Sequence, residues 1–385
     1  MSIILEKIKH LGNKPILDVL EYMGGWPVLK GDNWNETDWS LEKSLLRLHD
    51  FVGYGKFNVF RNESKEEDKE NEIDIDQGIA ASNDGYLEAE YPKYMFKVAV
   101  ALGAEDTEET KQELNDALQF GLALNKLNDG KLFKRTGKVR KNTKEMMIYN
   151  RMIKWIKHFD KFKLINTQSN MVHYNLSVID NIELLLMKVS NKTIANYVLW
   201  RIVDLSVPFL SEEVEEAFKF YRETYGVVDK EQRWKTCTRI TNRYAELATG
   251  SLYIKDFFTE ESRIAASDMV KDIKEEFRAS IISSEWMDKK TKTEALSTVD
   301  MMKSYIGYDE QLLNITKVEQ YYVDSRKKFT DTFFHLALQL NVLNTDKKFQ
   351  QEVFNTFDWT KYAKPTTVGA SYNKRDNTIR KIRLV

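Results

Sequence analysis

Between Lys138 and Val368 the chain holds only three glycines, Gly226, Gly250 and Gly307, and two prolines, Pro208 and Pro365. Glycine and proline are the residues that interrupt regular backbone. So long a stretch with so few of them is therefore committed to helix. It divides into helices over roughly 144–158, 178–204, 211–225, 230–249, 260–283, 288–306 and 315–342. Upstream, residues 11–51 read as two helical pieces around a turn at Gly24-Gly25-Trp26-Pro27. Lys56 to Phe60 reads as a short strand, Ser64 to Glu72 as a charge-dense solvated loop, and Tyr94–Gly103 and Asp106–Asn125 as helices. No repeat period is evident.

The most informative stretch is 285–308, beginning Glu285-Trp286-Met287-Asp288 and ending Ile306-Gly307-Tyr308. Asp288 is placed to cap a helix whose third position is Thr291. Ala295, Leu296, Val299, Met302 and Ile306 recur at three- and four-residue steps, the spacing of one buried stripe. Gly307 is expected to stop that helix in a left-handed conformation.

Composition excludes several functions. The chain has 58 basic and 59 acidic residues, so no net field draws it to nucleic acid or to an anionic membrane. The basic stretch Lys131, Lys134, Arg135, Lys138, Arg140, Lys141 and Lys144 holds a single aromatic, Phe133, and no known nucleic-acid motif, and reads as a solvated loop. No apolar run is long enough to span a bilayer, and residues 1–10 carry no signal-peptide hydrophobic region. Cys237 is the sole cysteine, which excludes an internal disulfide framework and by itself suggests a reducing compartment. Its flanks Trp234, Ile240 and Tyr244 suggest a packed helix face and a buried thiol. Sequons at Asn35, Asn62, Asn175, Asn191 and Asn314 point the other way, to a secreted chain.

Short words along the chain add an identity. In order they are Gly24-Gly25-Trp26-Pro27-Val28, Ile75-Asp76-Gln77, Tyr149-Asn150-x-Met152, Tyr197-x-x-Trp200-Arg201 and Trp234-x-x-Cys237. Gly250-x-Leu252-Tyr253, Trp286-Met287-Asp288 and Gly369-Ala370-Ser371-Tyr372 follow. Together they resemble the neprilysin family of zinc metalloendopeptidases, from about residue 12 to the last residue. The resemblance implies a mainly α fold: a large multi-helix domain like the cap half of those peptidases, with one or two short strands. It implies a helical peptidase N-terminal domain over 1–365, and the start of the catalytic half over 366–385, ending in a divergent basic tail. It also places the chain outside the cell or at its surface, although this sequence shows no membrane anchor, signal or cysteine-rich opening of the family type. Cys237 matches a family cysteine whose partner would lie near Tyr86 to Val98, where this chain has none, and the family's Leu-Pro-Ser-Arg-Asp-Tyr-Tyr is eroded to Ala80–Tyr86.

The family's chemistry needs two histidines one helical turn apart, H-E-x-x-H, so that both imidazoles meet one zinc ion and the glutamate acts on the metal-bound water. The histidines here are His10, His49, His158, His173 and His335; no two stand four apart and none precedes a glutamate. No catalytic residue, metal ligand or resident cofactor is therefore assigned, zinc belonging to the complete family enzyme. His335, within Phe333-Phe334-His335-Leu336-Ala337, reads as a partly buried core histidine.

The resemblance implies one substrate-binding element, a strand to which a peptide adds by its backbone. Here it is Gly369, Ala370 and Tyr372, with Gly369 in place of the family's asparagine and Asn377-Thr378-Ile379 following. Beyond it, Arg380 to Val385 replaces an apolar family segment. A strand with no later partner and a tail carrying Lys374, Arg375, Arg380, Lys381 and Arg383 against Asp376 leads to an expectation of mobility from Thr366 onward. The function expected is that of an incomplete neprilysin-like metalloendopeptidase, inactive by itself, whose partners are peptides or a complementary catalytic half. The alternative is a non-catalytic helical peptide- or protein-binding relative. A coincidental likeness is the remaining reading, and the ordered motifs argue against it.

Overall fold

Hydroxyl, carboxylate and amide side chains mark where many of the helices begin, and a few glycines mark where the chain turns. A computed structural model of the protein describes residues 10–52, 60–62, 72–75, 90–128, 138–142, 171–224, 232–326, 332–354, 359–362, 366, 369–374 and 377–383. The expected helix 144–158, the loop from Ser64 to Asn71 and the strand over Lys56 to Val59 lie outside these residues, as does most of the basic stretch.

Helix α1 (Lys14–Tyr22) gives way to the Gly24-Gly25 turn, where φ is +109° and +78°. A side chain at Gly24 would also put its Cβ 3.0 Å from the Trp39 ring. Only glycine meets both demands cheaply. Pro27 then opens the short helix α2 (Pro27–Lys30), followed by α3 (Leu41–Val52). The strands β1 (Phe60–Asn62) and β2 (Glu72–Ile75) precede α4 (Tyr91–Ala101) and α5 (Glu108–Asn128). After β3 (Lys138–Asn142) and β4 (Met171–Asn175) come α6 (Leu176–Lys188), α7 (Asn191–Ser206) and α8 (Glu212–Glu223). The first four strands form one sheet in the order β1-β2-β4-β3, with β2 and β4 parallel and the other pairs antiparallel.

The single helix expected over 178–204 is two. Ser190 adopts an extended conformation and its hydroxyl accepts the Thr193 N–H at 3.1 Å, which starts α7 afresh. The run over 230–249 likewise divides, at Ala245, into α9 (Arg233–Tyr244) and α10 (Glu246–Phe257). Helix α11 (Glu260–Ser283) matches its expected bounds and is capped by Thr259. The last run also divides, into α13 (Ile315–Arg326) and α14 (Phe333–Phe354), the latter opened by Thr332, whose hydroxyl accepts the His335 N–H at 3.2 Å.

The 288–306 helix is correct at its start and too long at its end. Asp288 accepts the Thr291 N–H and hydroxyl, each at 2.9 Å, and both bonds hold its carboxyl below the usual range. But α12 (Lys289–Asp300) stops at the Met301 cap, and β5 (Lys303–Ile306) follows. The apolar spacing continued, yet the backbone of residues 303–306 pairs in parallel with a strand some seventy-five residues later. Long-range pairing decided what local period could not. Gly307, at φ +77°, therefore ends a strand rather than a helix, and a Cβ there would lie 2.8 Å from Phe258.

The chain resolves into two compact units. The first comprises residues 1–237 and 328–355, the second residues 238–327 and 356–385. The core of the first is α7, in which Ile194 through Trp200, Ile202 and Val203 are all buried. A helix buried on every side must satisfy its polar groups internally. Asn196 does so by accepting the Val28 N–H at 3.2 Å and donating to Glu113 at 3.2 Å, while Glu113 also binds Lys192. Trp200 donates its indole N–H to the Tyr91 hydroxyl at 3.0 Å and stacks on Trp26 with ring centroids 6.3 Å apart. Tyr94 packs edge-on to Trp200 and donates to Asp204 at 3.0 Å. Cys237 is buried at 2 % exposure, as expected, but its neighbour Trp234 is 46 % exposed and does not share its packed face.

Mainly α architecture is thus borne out, with two small sheets added to it. The tightest approach in the first core is Gly121 of α5 against Tyr197 of α7, where an added Cβ would stand 2.5 Å from a ring carbon. Tyr197 is fully buried and has no room to withdraw. Gly121→Ala is expected to destabilise the protein by about 1–3 kcal/mol despite alanine's better helix propensity, read as a lower urea midpoint at unchanged slope.

Candidate functional site

Strand β6 (Gly369–Asn373) is the element the family resemblance marks for peptide binding, and it lies at the rim of a sheet. It turns back into β7 (Thr378–Arg383), and β7 pairs on its other side with β5, giving the order β5-β7-β6. The β6–β7 pair is antiparallel, with Tyr372 opposite Ile379 and Ser371 opposite Arg380, and it shifts register at Gly369/Ala370. The expected mobility from Thr366 onward is corrected here. The strand has a partner because β7 is built from the basic tail itself, and β7 is anchored in turn on β5.

One turn residue locks this hairpin. Asn377 adopts φ +44°, a left-handed conformation that asparagine tolerates better than most residues. Its side-chain carbonyl accepts the Tyr372 hydroxyl at 3.0 Å, and its amide donates to the Thr298 carbonyl at 2.8 Å. The Lys303 N–H donates to its backbone carbonyl at 3.0 Å. The hairpin turn is therefore fixed both to its own first strand and to the junction between α12 and β5.

Gly369, Ala370, Ser371 and Tyr372 are all exposed, and among the described residues β6 has a neighbouring strand on one side only. Successive residues of a strand present their N–H and C=O groups to opposite edges. Part of the β6 backbone is thus open to an added strand, and the sheet brings Gly369, Ala370 and Tyr372 onto that one rim. Gly369 presents no side chain, and Tyr372 is 47 % exposed.

Among the described residues no three His, Cys, Asp or Glu side chains gather as a metal site. His335 sits half-buried between its own helix and aromatic neighbours: its Nδ1 lies 2.6 Å from the Thr332 hydroxyl and its ring packs against Phe334. Burial holds its pKa below the ordinary imidazole value, with Asp18 pulling weakly the other way. It is the core histidine the sequence suggested.

Of the sequon asparagines, Asn35, Asn191 and Asn314 are exposed, and Asn62 and Asn175 lie on β1 and β4. Asn314 uses its side-chain oxygen to cap α13, accepting the Thr316 N–H at 3.1 Å. Asn35 accepts from Thr37 and donates to Asp38 at 2.8 Å.

Sequence reasoning missed one feature, an open groove of about 910 Å³ in the first unit. Helix α4 floors it and α5 and α8 flank it. The signal was present: Phe96 and Val100 stand four apart on α4, with Lys93 and Lys97 beside them.

The profile of peptidase family M13 matches residues 4–309. The chain belongs to peptidase family M13. It is 29 % identical to Neprilysin-2 of Drosophila melanogaster across 97 % of this chain and 52 % of that protein. It is 26 % identical to the endothelin-converting enzyme homolog of Locusta migratoria, covering 97 % and 54 %. The chain thus spans about half the length of the curated relatives it matches. Among solved structures, the zinc metalloprotease Zmp1 of Mycobacterium tuberculosis in its open state aligns with TM-score 0.67 at 16 % identity, over 97 % of this chain and 58 % of that one. PepO from Lactobacillus rhamnosis aligns with TM-score 0.68 at 15 % identity, over 98 % and 59 %. At that identity the likeness concerns the fold alone.

Two measurements check this geometry. Amide exchange is expected to be slow throughout the central strand β7 and slow at only alternate positions of β6. Asn377→Ala should speed exchange across both strands, because it removes two side-chain bonds and strains the left-handed turn. For His335, the folded pKa is lowered, so the unfolded chain takes up the proton first as pH falls. Its contribution to stability is complete above the unfolded value of about 6.5 and is lost as pH falls towards the folded value. The drop in melting temperature on moving from about pH 7.5 to pH 5.5 should be smaller in His335→Gln than in the parent protein.

Proposed function

We propose that this chain is the peptide-contacting portion of a neprilysin-like zinc metalloendopeptidase. In the complete enzyme that activity is proteolysis of short extracellular peptides. The chain binds peptide by strand addition at β6 and does not hydrolyse it by the family mechanism, because its residues supply no paired histidines and no intervening glutamate. The observation that carries the reading is the open backbone rim of β6, with Gly369, Ala370 and Tyr372 exposed along it. Main-chain hydrogen bonds provide affinity in such a complex, and alternate side chains provide selection.

The second partner is a complementary catalytic half. Most of the exposed large apolar side chains belong to the second unit, among them Trp286 at 81 %, Phe257 at 73 % and Met301 at 64 % exposure. Apolar surface on that scale marks a face meant to be covered. The alternative function, a non-catalytic peptide- or protein-binding relative, uses the same rim without a catalytic complement. Extracellular or cell-surface placement is supported by the exposed sequons at Asn35, Asn191 and Asn314.

The test is peptide binding and hydrolysis measured side by side on the purified chain. A fluorescein-labelled short apolar peptide should bind by anisotropy and remain intact with or without zinc chloride. Proline at Ala370 or at Ser371 removes an N–H from one edge or the other, so one of the two variants should lose at least about tenfold in affinity, about 1.4 kcal/mol. Affinity unchanged in both variants refutes strand addition. Zinc-dependent cleavage by the chain alone refutes the non-catalytic assignment.

A further inference from the structure

The groove of the first unit carries charges that its own residues do not balance. Its floor is the outward side of α4, with Phe96 and Val100 half-buried over the fully buried Met95, and Leu114 of α5 closing one side. Its walls are α5, bearing Lys111, and α8, bearing Glu213, Glu216, Ala217 and Phe220. Two of its lysines are already neutralised locally, Lys93 by Glu90 and Lys111 by Glu108, each pair at 2.6 Å. Of the other charged lining residues, Lys97, Asp106, Glu213 and Glu216, none forms an ion pair among the described residues, although Asp106 also acts on Lys111.

The two aromatic rings of the groove already show what they prefer. The Lys97 ammonium stands 4.0 Å from the centroid of Phe220, and the Lys111 ammonium 5.0 Å from that of Phe96. Each ring therefore offers its electron-rich face to a cation. Phe220 is 50 % exposed, and the Lys97 ammonium stands over its ring. A volume of about 910 Å³ lies within the range of sites that hold a small ligand or a few residues of peptide.

We infer that the groove between α4, α5 and α8 is a binding site for a basic, apolar peptide segment, one in which arginine or lysine neighbours an aromatic or aliphatic residue. The apolar side chain lies on Phe96, Val100 and Ala217. The cationic group displaces Lys97 from the Phe220 ring and meets Glu213 and Glu216, which stand three apart on one face of α8. An acidic segment has only Lys97 to meet and is repelled by three carboxylates. This site lies in the first unit and is independent of the β6 rim in the second.

The experiment is a calorimetric titration of the full chain with three capped tetrapeptides: acetyl-Leu-Arg-Phe-Arg-amide, its glutamine analogue and its glutamate analogue. The arginine peptide should bind at least tenfold more tightly than either analogue, and the preference should weaken with added sodium chloride. Glu213→Lys with Glu216→Lys should abolish the preference. Glu213→Gln with Glu216→Gln carries the same test if the charge reversal perturbs folding, which far-UV circular dichroism reports. Lys97→Met should tighten binding several-fold by uncovering Phe220 and removing a like charge. Ser371→Pro and Ala370→Pro should leave it unchanged, so failure of the β6 reading and failure of this one are separable. No binding of the arginine peptide, equal binding of all three, or a preference that survives both acidic-pair variants overturns the assignment.

Discussion

Trp200 is the side chain on which the first unit depends. It is buried at the centre of α7, where an indole N–H without an acceptor is costly. The Tyr91 hydroxyl supplies that acceptor, and Tyr91 opens α4. The other face of the indole stacks on Trp26, which the Gly24-Gly25 turn delivers. One indole therefore fixes α4 and the first turn of the chain against α7. Because α4 is held by its inner face, its outer face, with Phe96, Lys97 and Val100, is free to floor the groove. Core chemistry and surface chemistry meet on opposite sides of one eleven-residue helix.

The second unit is built on a thinner foundation. Its helices bury Val270, Ile281, Val299, Leu312 and Val318, but leave Ile273, Phe277, Trp286 and Met301 exposed. Its order comes as much from hydrogen bonds as from packing. Asp288 caps α12, Lys274 donates to the Met302 carbonyl at 2.7 Å, and Asn377 ties the hairpin to Thr298. Such bonds place the β6 rim without covering the exposed apolar side chains of this unit. The relatives Neprilysin-2 and the endothelin-converting enzyme homolog are about twice as long as this chain.

Some helix starts were legible. Asp288 was read as a cap and α12 begins there, and the start expected at residue 260 holds. Helix ends were less so. Ser190 interrupts a continuous apolar run by one side-chain bond, a signal no stronger than many serines within helices. Residues 303–306 keep a helical spacing and still become a strand, because pairing with residues 378–381 satisfies their backbone. The basic tail was misjudged for the same reason. Its charge suggested repulsion, but its backbone completes a sheet whose third strand lies elsewhere in the chain. Of the groove only the α4 floor was legible, because its walls come from two other helices that only tertiary packing brings to it.

By itself the sequence determined the helical class, the family, the turn at Gly24-Gly25, the cap of α12 and the buried Cys237. Each rests on residues within a few positions of one another, or on a spelling shared with relatives. Only the tertiary structure decided that Gly369–Asn373 forms the open rim of a three-stranded sheet, and that Asn377 reaches back to Thr298. Nor could the sequence place Lys97 over Phe220, more than a hundred residues away. Strand order and side-chain convergence are long-range properties. No local spacing specifies which distant backbone will accept a hydrogen bond, or which distant ring will receive a charge.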